Sequence, residues 1–320
     1  MSDLLSKCNV CGALLDEEDL FCAECGTEAP IRANSNERLP THNTTHNFSC
    51  QGCGASMSYD ARAQGLRCPF CGSEKMTPDA DKSEIKPTVV VPFQIDRARA
   101  EVLLRQRLAG SFWAPGDTST AAQVEILQAV YIPSWAFTAE TDTHWTADSS
   151  NTPSGARGDW VPVSGDHRGH YENNLVCCSS ALTPAEMFEL GDYDLTQAVS
   201  PDEINLDNVT NERFTVPRKY ARPLARRGFE AREAAICQKY VAGRSRNLRV
   251  NVRITELNSY PLLLPVWIMA YRYKDQIYRF LVNGQRGTTT GKVPVSIPKV
   301  MTAFTIILII LGLIIAFALF

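Results

Sequence analysis

The sequence predicts an α+β protein: two small four-cysteine modules, a larger domain on an antiparallel sheet, and one apolar C-terminal helix. Three observations carry this. Eight of the 11 cysteines form four Cys-x-x-Cys-Gly knuckles in the first 75 residues. Alternating strand-like runs with interspersed helices, and no βαβ rhythm, fill 88–298. No residue of 301–320 is charged.

The first knuckle pair is Cys8/Cys11 with Cys22/Cys25, and the second is Cys50/Cys53 with Cys68/Cys71. Two residues between cysteines make a tight turn that converges two thiolates on one ion. The following glycine supplies the positive φ that closes the turn. A second pair on a facing hairpin then completes a tetrahedral zinc site. The spacers 12–21 and 54–67 are long enough for a strand, a turn and a return strand. Neither module can bury an adequate core alone. Metal binding should therefore supply much of its folding energy, about 10–16 kcal/mol apparent at neutral pH. Disulfides would need an oxidising compartment, and no signal peptide precedes Cys8. A redox pair would sit in a βαβ context, which is absent. Four sulfurs per ion leave no open position, so both zincs are expected to be structural. The predicted boundaries are ribbon one at 1–30, a flexible linker at 31–47, ribbon two at 48–75 and a charged linker at 76–87.

The α+β domain is expected over 88–298. A strand-like run covers 89–95. Asp96 is placed to cap a helix over 97–109, with Val102, Leu103 and Leu108 inward and the arginines outward. A long alternating strand is expected at 130–146, with 161–177 returning beside it. Pro184 opens a short helix to Leu190, 194–199 reads as another, and 222–241 as a longer one. Strands follow at 247–257, 262–273 and 276–283, the last two joined by a tight Lys274-Asp275 hairpin. Asn283-Gly284 and Gly287 mark a turn.

Residues 301–320 (MTAFTIILIILGLIIAFALF) lack the polar face of a surface helix. Twenty helical residues span about 30 Å, the hydrocarbon thickness of a bilayer. A transmembrane helix is therefore expected at 300–320. A GPI signal would need secretory entry. With the span last, the N-terminal bulk should lie on one side, and the thiolates require that side to be reducing and cytoplasmic. Lys292 and Lys299 flank the span on that side.

The net charge of −3 conceals a division. Residues 1–212 carry 14 Lys and Arg against 31 Asp and Glu, net −17. Residues 213–320 carry 18 against 4, net +14. The densest basic stretch, 213–253, includes Arg218, Lys219, Arg222, Arg226, Arg227, Arg244, Arg246 and Arg249. It suits anionic lipid headgroups or an acidic protein. Ribbon one sets Lys7 against Asp3, Asp16, Glu17, Glu18, Asp19, Glu24 and Glu28. A four-thiolate zinc adds further negative charge. Nucleic-acid binding, which needs cations at phosphate, is therefore disfavoured, and protein contact suits both ribbons better.

No catalytic residues are assigned. The histidines His144, His167 and His170 with Cys177 and Cys178 are the nearest to a site. An HxxH pair on a strand, however, points its rings to opposite faces. P-loop, nucleophile-elbow and dinucleotide motifs are missing from the sequence. His42 and His46 fall in the linker, outside two already complete zinc sites.

The second knuckle pair, with "VPFQID", "YIPSWAF", "LLLPVWIMAYRYKDQIYRFLVNGQRG" and the terminal apolar run, resembles a bacterial membrane-anchored zinc-ribbon family. Its ribbon is of the transcription-factor-IIB or primosomal-helicase type, without a helicase motor. Gln285-Arg286-Gly287 stands where that family has Gln-Thr-Gly. The resemblance implies a single-pass inner-membrane anchor in envelope stress, associated with phage shock protein A and SPFH-domain, virion-core-like proteins. The expected function is a non-enzymatic adaptor with two structural zincs that recruits protein partners. The alternative is a membrane-tethered nucleic-acid-binding or replication-associated protein.

Overall fold

The computed structural model describes residues 6–8, 11, 12, 14, 15, 46–59, 67–78, 85–155, 158–204, 206, 210–214, 216–274 and 276–319. In chain order the elements are β1 (Ser6–Lys7), β2 (Leu14–Leu15), β3 (His46–Cys50), β4 (Ser56–Tyr59), β5 (Met76–Pro78), β6 (Val89–Val90), α1 (Arg97–Ala109), α2 (Thr118–Ala121), β7 (Gln123–Ser149) and β8 (Val161–Cys177). Then come α3 (Pro184–Leu190), β9 (Thr210–Glu212), α4 (Arg218–Tyr240), β10 (Ser245–Tyr273), β11 (Gln276–Asn283), β12 (Thr289–Gly291) and α5 (Ile297–Leu319). β1 and β2 pair with each other, and the other ten strands form one mixed sheet.

β7 and β10 are the spine of that sheet and pair antiparallel along nearly their full length. At a strand's rise per residue β7 extends about 90 Å. Its burial pattern records what covers it. Every residue of 130–137 is buried, because both sheet faces are covered there. Beyond Ala139 the odd-numbered residues are buried, while Glu140, Asp142, His144 and Thr146 are exposed. There α4 covers one face only. α4 lays down Ala221, Ala225, Phe229, Glu233 and Cys237, a stripe at every fourth position. Asn174 Nδ2 donates to Ala225 O at 3.1 Å, and a Cβ on Gly228 would lie 2.8 Å from that amide.

Several expected elements have their predicted bounds: α1, β8, α3 and β11. Asp96 caps α1, its carboxylate accepting from Arg99 N at 2.7 Å. The inward face of α1 needs correction: Ala100, Leu104 and Leu108 are buried, and Val102 is 43% exposed. The buried stripe follows the i, i+4 ridge, which passes through Ala100 rather than Val102. The expected antiparallel sheet also needs correction, because β6 pairs parallel with β10 and β9 pairs parallel with β7. Each arrives beside its partner through a long crossover, the only way a parallel pair can be joined. The strands expected at 247–257 and 262–273 are one strand, β10. Pro261 does not break it. Its carbonyl accepts Thr88 N at 2.8 Å on the β6 side, so its missing N–H faces that edge and costs no bond to β7. The 89–95 run keeps only two residues as strand, and 194–199 contains a single 3-10 turn, Leu195–Gln197. In the hairpin after β10, Lys274 has φ 55°, and Asp275 lies outside the described residues.

The Asn283–Gly287 turn is a buried latch. Asn283 donates from Nδ2 to Leu190 O at 3.1 Å, and its Oδ1 accepts Gln285 N and Arg286 N at 2.9 and 3.0 Å. Gln285 accepts Asp194 N at 2.8 Å and donates to Asp194 O at 3.0 Å. The Gly284 carbonyl takes Gln94 N and Ile95 N. A Cβ on Gly284 would meet the Phe93 ring at 2.6 Å. Asn283 is wholly buried, so Asn283→Ala should orphan several polar groups and cost about 3 kcal/mol. Urea unfolding measures this; an unchanged midpoint would contradict the latch.

α5 runs Ile297–Leu319, with side chains described to Ile310 and at Ile314. Among the described residues no helix is long and apolar enough to cross a membrane.

Candidate metal centre

The strands of the second knuckle pair extend the large sheet. β3 pairs with β4 and β5, and β4 pairs with β9, Met57 opposite Glu212. The two knuckles close in the same way. Gly54 N donates to Cys50 O at 2.9 Å and Gly72 N to Cys68 O at 2.8 Å. Both glycines have positive φ, 79° and 74°, the conformation that the knuckle motif requires. Gln51 N donates to Lys75 O at 3.0 Å, which ties the first knuckle to the strand leaving the second.

The four sulfurs converge. Cys50 Sγ lies 3.5 Å from Cys71 Sγ, and Cys53 Sγ lies 3.5 Å from Cys68 Sγ. All four lie within 4.8 Å of one another. A tetrahedral zinc with Zn–S bonds of about 2.3 Å needs sulfurs about 3.8 Å apart, so the set fits one zinc. Gly52 N donates to Cys50 Sγ at 3.3 Å, the bond a thiolate ligand accepts. A Cβ on Gly52 would stand 3.2 Å from Cys71 Sγ, so no larger residue fits without crowding a ligand.

Electrostatics favour a cation at this point. Burial raises the Cys50 thiol, but backbone N–H groups of Cys53 and Gly52 and the thiols of Cys71 and Cys68 outweigh it, bringing it to about 7. Burial pushes Cys53 up to about 11 and Cys68 higher still. Cys53 and Cys68 therefore hold their protons unless a dication stabilises the thiolates. Zinc would be held by four sulfurs with no position left for water or substrate, as in a structural site.

One wall of the centre is the core of the large sheet. Cys50 and Cys68 are buried in one apolar cluster with Met57, Phe70, Val130, Ile132, Leu190, Val266, Ile268 and Leu281. Cys71 is exposed.

Of the first knuckle pair, Cys8 and Cys11 are described, and Cys22 and Cys25 lie outside the described residues. The Cys8 knuckle repeats the same closure: Gly12 N donates to Cys8 O at 2.9 Å, with Gly12 φ at 73°. β1 and β2 flank it as a hairpin. Among the described residues the one group of metal-ligand side chains is the second set.

The histidines do not assemble. His167 faces α4, its Nδ1 2.7 Å from Glu233 Oε2. His170 faces the open side of the sheet with Glu140 and Glu172, and His144 pairs there with Asp166 at 2.8 Å. Burial pushes the Cys177 thiol up to about 12 and raises Cys178 as well, so neither is a ready nucleophile. The basic stretch is also divided. Leu248 and Val250 pack with Cys237 of α4, so the exposed Arg249 and Arg253, which alternate with them, project from the other sheet face. Arg213 is buried, and Arg246 lies over the Trp160 ring at 4.4 Å.

The cluster that sequence reading missed is Glu233. Its carboxylate is wholly buried and accepts from the Thr141 hydroxyl and from His167. A Cβ on Gly169 would lie 2.4 Å from it. A lone acid on the otherwise apolar stripe of α4 was the available signal.

Fold and site together define an α+β protein with a large mixed sheet and a closed four-cysteine centre that can hold one zinc. The chain is distantly homologous to the "Uncharacterized protein YdjG" of Bacillus subtilis (strain 168). The two are 26% identical over 316 residues, covering 81% of this chain and 93% of the relative. No family model matches the chain, and no solved structure matches it.

Proposed function

We propose that this chain is a non-enzymatic adaptor of the bacterial inner membrane, carrying two structural zincs and recruiting protein partners. The observation that carries this reading is the closed centre. Four sulfurs leave the ion no open position, and two of them are built into the core of the large sheet. Such an ion holds a surface in shape rather than turning over a substrate. The second zinc sits at Cys8, Cys11, Cys22 and Cys25, and the shared closure of the Cys8 and Cys50 knuckles supports it.

The anchor in this reading is α5, which is helical to Leu319 and carries no charge after Lys299. The uncharged run 301–320 of the sequence, twenty residues, supports this, because about twenty apolar helical residues match a hydrocarbon core. The N-terminal bulk then lies in the cytoplasm, where thiolates stay reduced. The partners that the family resemblance implies are phage-shock-protein-A-like or SPFH-domain proteins in envelope stress. The strongly acidic first 30 residues suit a protein partner better than nucleic acid. Anionic lipid beneath the exposed basic residues of α4, among them Arg227, Arg232 and Lys239, is part of the same reading.

Alkaline carbonate extraction of cells expressing the full chain tests the anchor. The expected result is retention in the pellet, with the N-terminus cleaved by protease only when the cytoplasmic face is accessible. Release into the supernatant would overturn it. In-cell crosslinking followed by mass spectrometry tests the partner class.

A further inference from the structure

We propose that the Phe112–Trp113 turn is a bilayer-interface anchor that fixes the tilt of the folded domain on the membrane; this rests on reading α5 as the span. Phe112 is 75% exposed and Trp113 is 44% exposed. Their rings stack edge to face, with centroids 5.1 Å apart at 84°. Two large aromatics side by side in water are costly unless something covers them.

Their position says what covers them. Three successive carbonyls of this turn are bonded to the root of α5. Ser296 N donates to Trp113 O at 2.7 Å. Lys299 Nζ donates to Phe112 O at 3.1 Å and to Ala114 O at 2.7 Å. Lys299 is also the last charged residue of the sequence, so it marks where the uncharged part of α5 begins. The aromatic pair thus stands beside the boundary between charged and uncharged helix. That is the headgroup level, where the amphipathic indole of Trp113 is favoured, with the Phe112 ring adding apolar area beside it. Val295, Ile297, Val300 and Met301, all exposed, continue the same apolar surface. Exposed Arg105 and Arg107 at the end of α1 bring cations toward the same level, as suits anionic headgroups.

The root of α5 is fastened to the sheet as well. The Tyr271 hydroxyl donates to Lys292 O at 2.7 Å, and Val293 packs in the cluster formed by α1 and β11. With the helix root and the aromatic turn both fixed, the domain is held at one angle to the bilayer rather than swinging on a tether.

The test uses the full chain in phosphatidylcholine–phosphatidylglycerol vesicles carrying lipids brominated either near the headgroup or near the chain ends. Trp113→Phe keeps an aromatic ring and removes the fluorophore, so the difference between the two proteins isolates Trp113 emission. The expected result is loss of about half of that difference signal with headgroup-proximal bromine and less with deep bromine, as for a ring at the interface. Difference emission that ignores bromine but falls with aqueous iodide overturns the inference. Emission that ignores both means a protein or a second copy covers the turn, and overturns it too. Loss of the chain from the vesicles on carbonate washing is a separate result, which removes the span and this inference with it.

Discussion

Removing zinc from Cys50, Cys53, Cys68 and Cys71 is expected to lower the melting temperature of the whole α+β domain by on the order of 10 °C or more. A ribbon on a flexible tether would melt alone. Here Cys50 and Cys68 share an apolar cluster with Ile132 of β7, Ile268 of β10 and Leu281 of β11. Loosening the knuckles therefore exposes the centre of the large sheet. Cys68→Ser, which keeps size but removes a ligand, should act like the chelator. The sign with pH follows from ligand chemistry: protons compete with the ion for the sulfurs, so affinity falls as pH falls. Calorimetry before and after chelation reads the effect. A main transition that does not move would show that the centre is peripheral to the core.

Glu233→Ala is expected to cost about 3 kcal/mol, the upper range for leaving buried hydrogen-bond partners unsatisfied. Thr141 and His167 both lose their acceptor, and the space against Gly169 is left empty. Glu233→Gln keeps the shape and an acceptor and should lose less. Burial raises the carboxyl, but the hydroxyls of Thr141 and Tyr171 and the His167 imidazole outweigh it, and hold Glu233 below the usual carboxylate range. Its contribution is then complete above the unfolded value of about 4.3 and is lost as pH falls through the folded value. The stability gap between the native chain and Glu233→Gln should therefore close in acid. A gap that is constant with pH would contradict an ionised Glu233.

How far the sequence could be read depended on whether a residue's role was local. Asp96 and Thr183 cap helices through bonds to residues three positions on, and both helices were legible to the residue. The Cys-x-x-Cys-Gly spacing specified the turns of the knuckles at Cys8, Cys50 and Cys68 for the same reason. The docking of the second ribbon was not legible, because Met57 opposite Glu212 joins positions far apart in sequence. The continuity of 247–257 with 262–273 was not legible, because a proline in a strand usually marks its end and only the edge geometry shows that Pro261 is tolerated. Asn283 and Gln285 read as an ordinary turn, since their partners at Leu190 and Asp194 lie across the fold. The basic stretch read as one surface, but strand alternation sends Arg249 and Arg253 away from α4.

The most direct test of the metal centre is elemental analysis of the full chain with Cys8, Cys11, Cys22 and Cys25 all changed to serine. The second set of sulfurs, left as the one complete ligand group, should retain one zinc per chain, and restoring the first set should raise this to two. Purified, folded protein of the four-serine variant that contains no zinc would contradict the account.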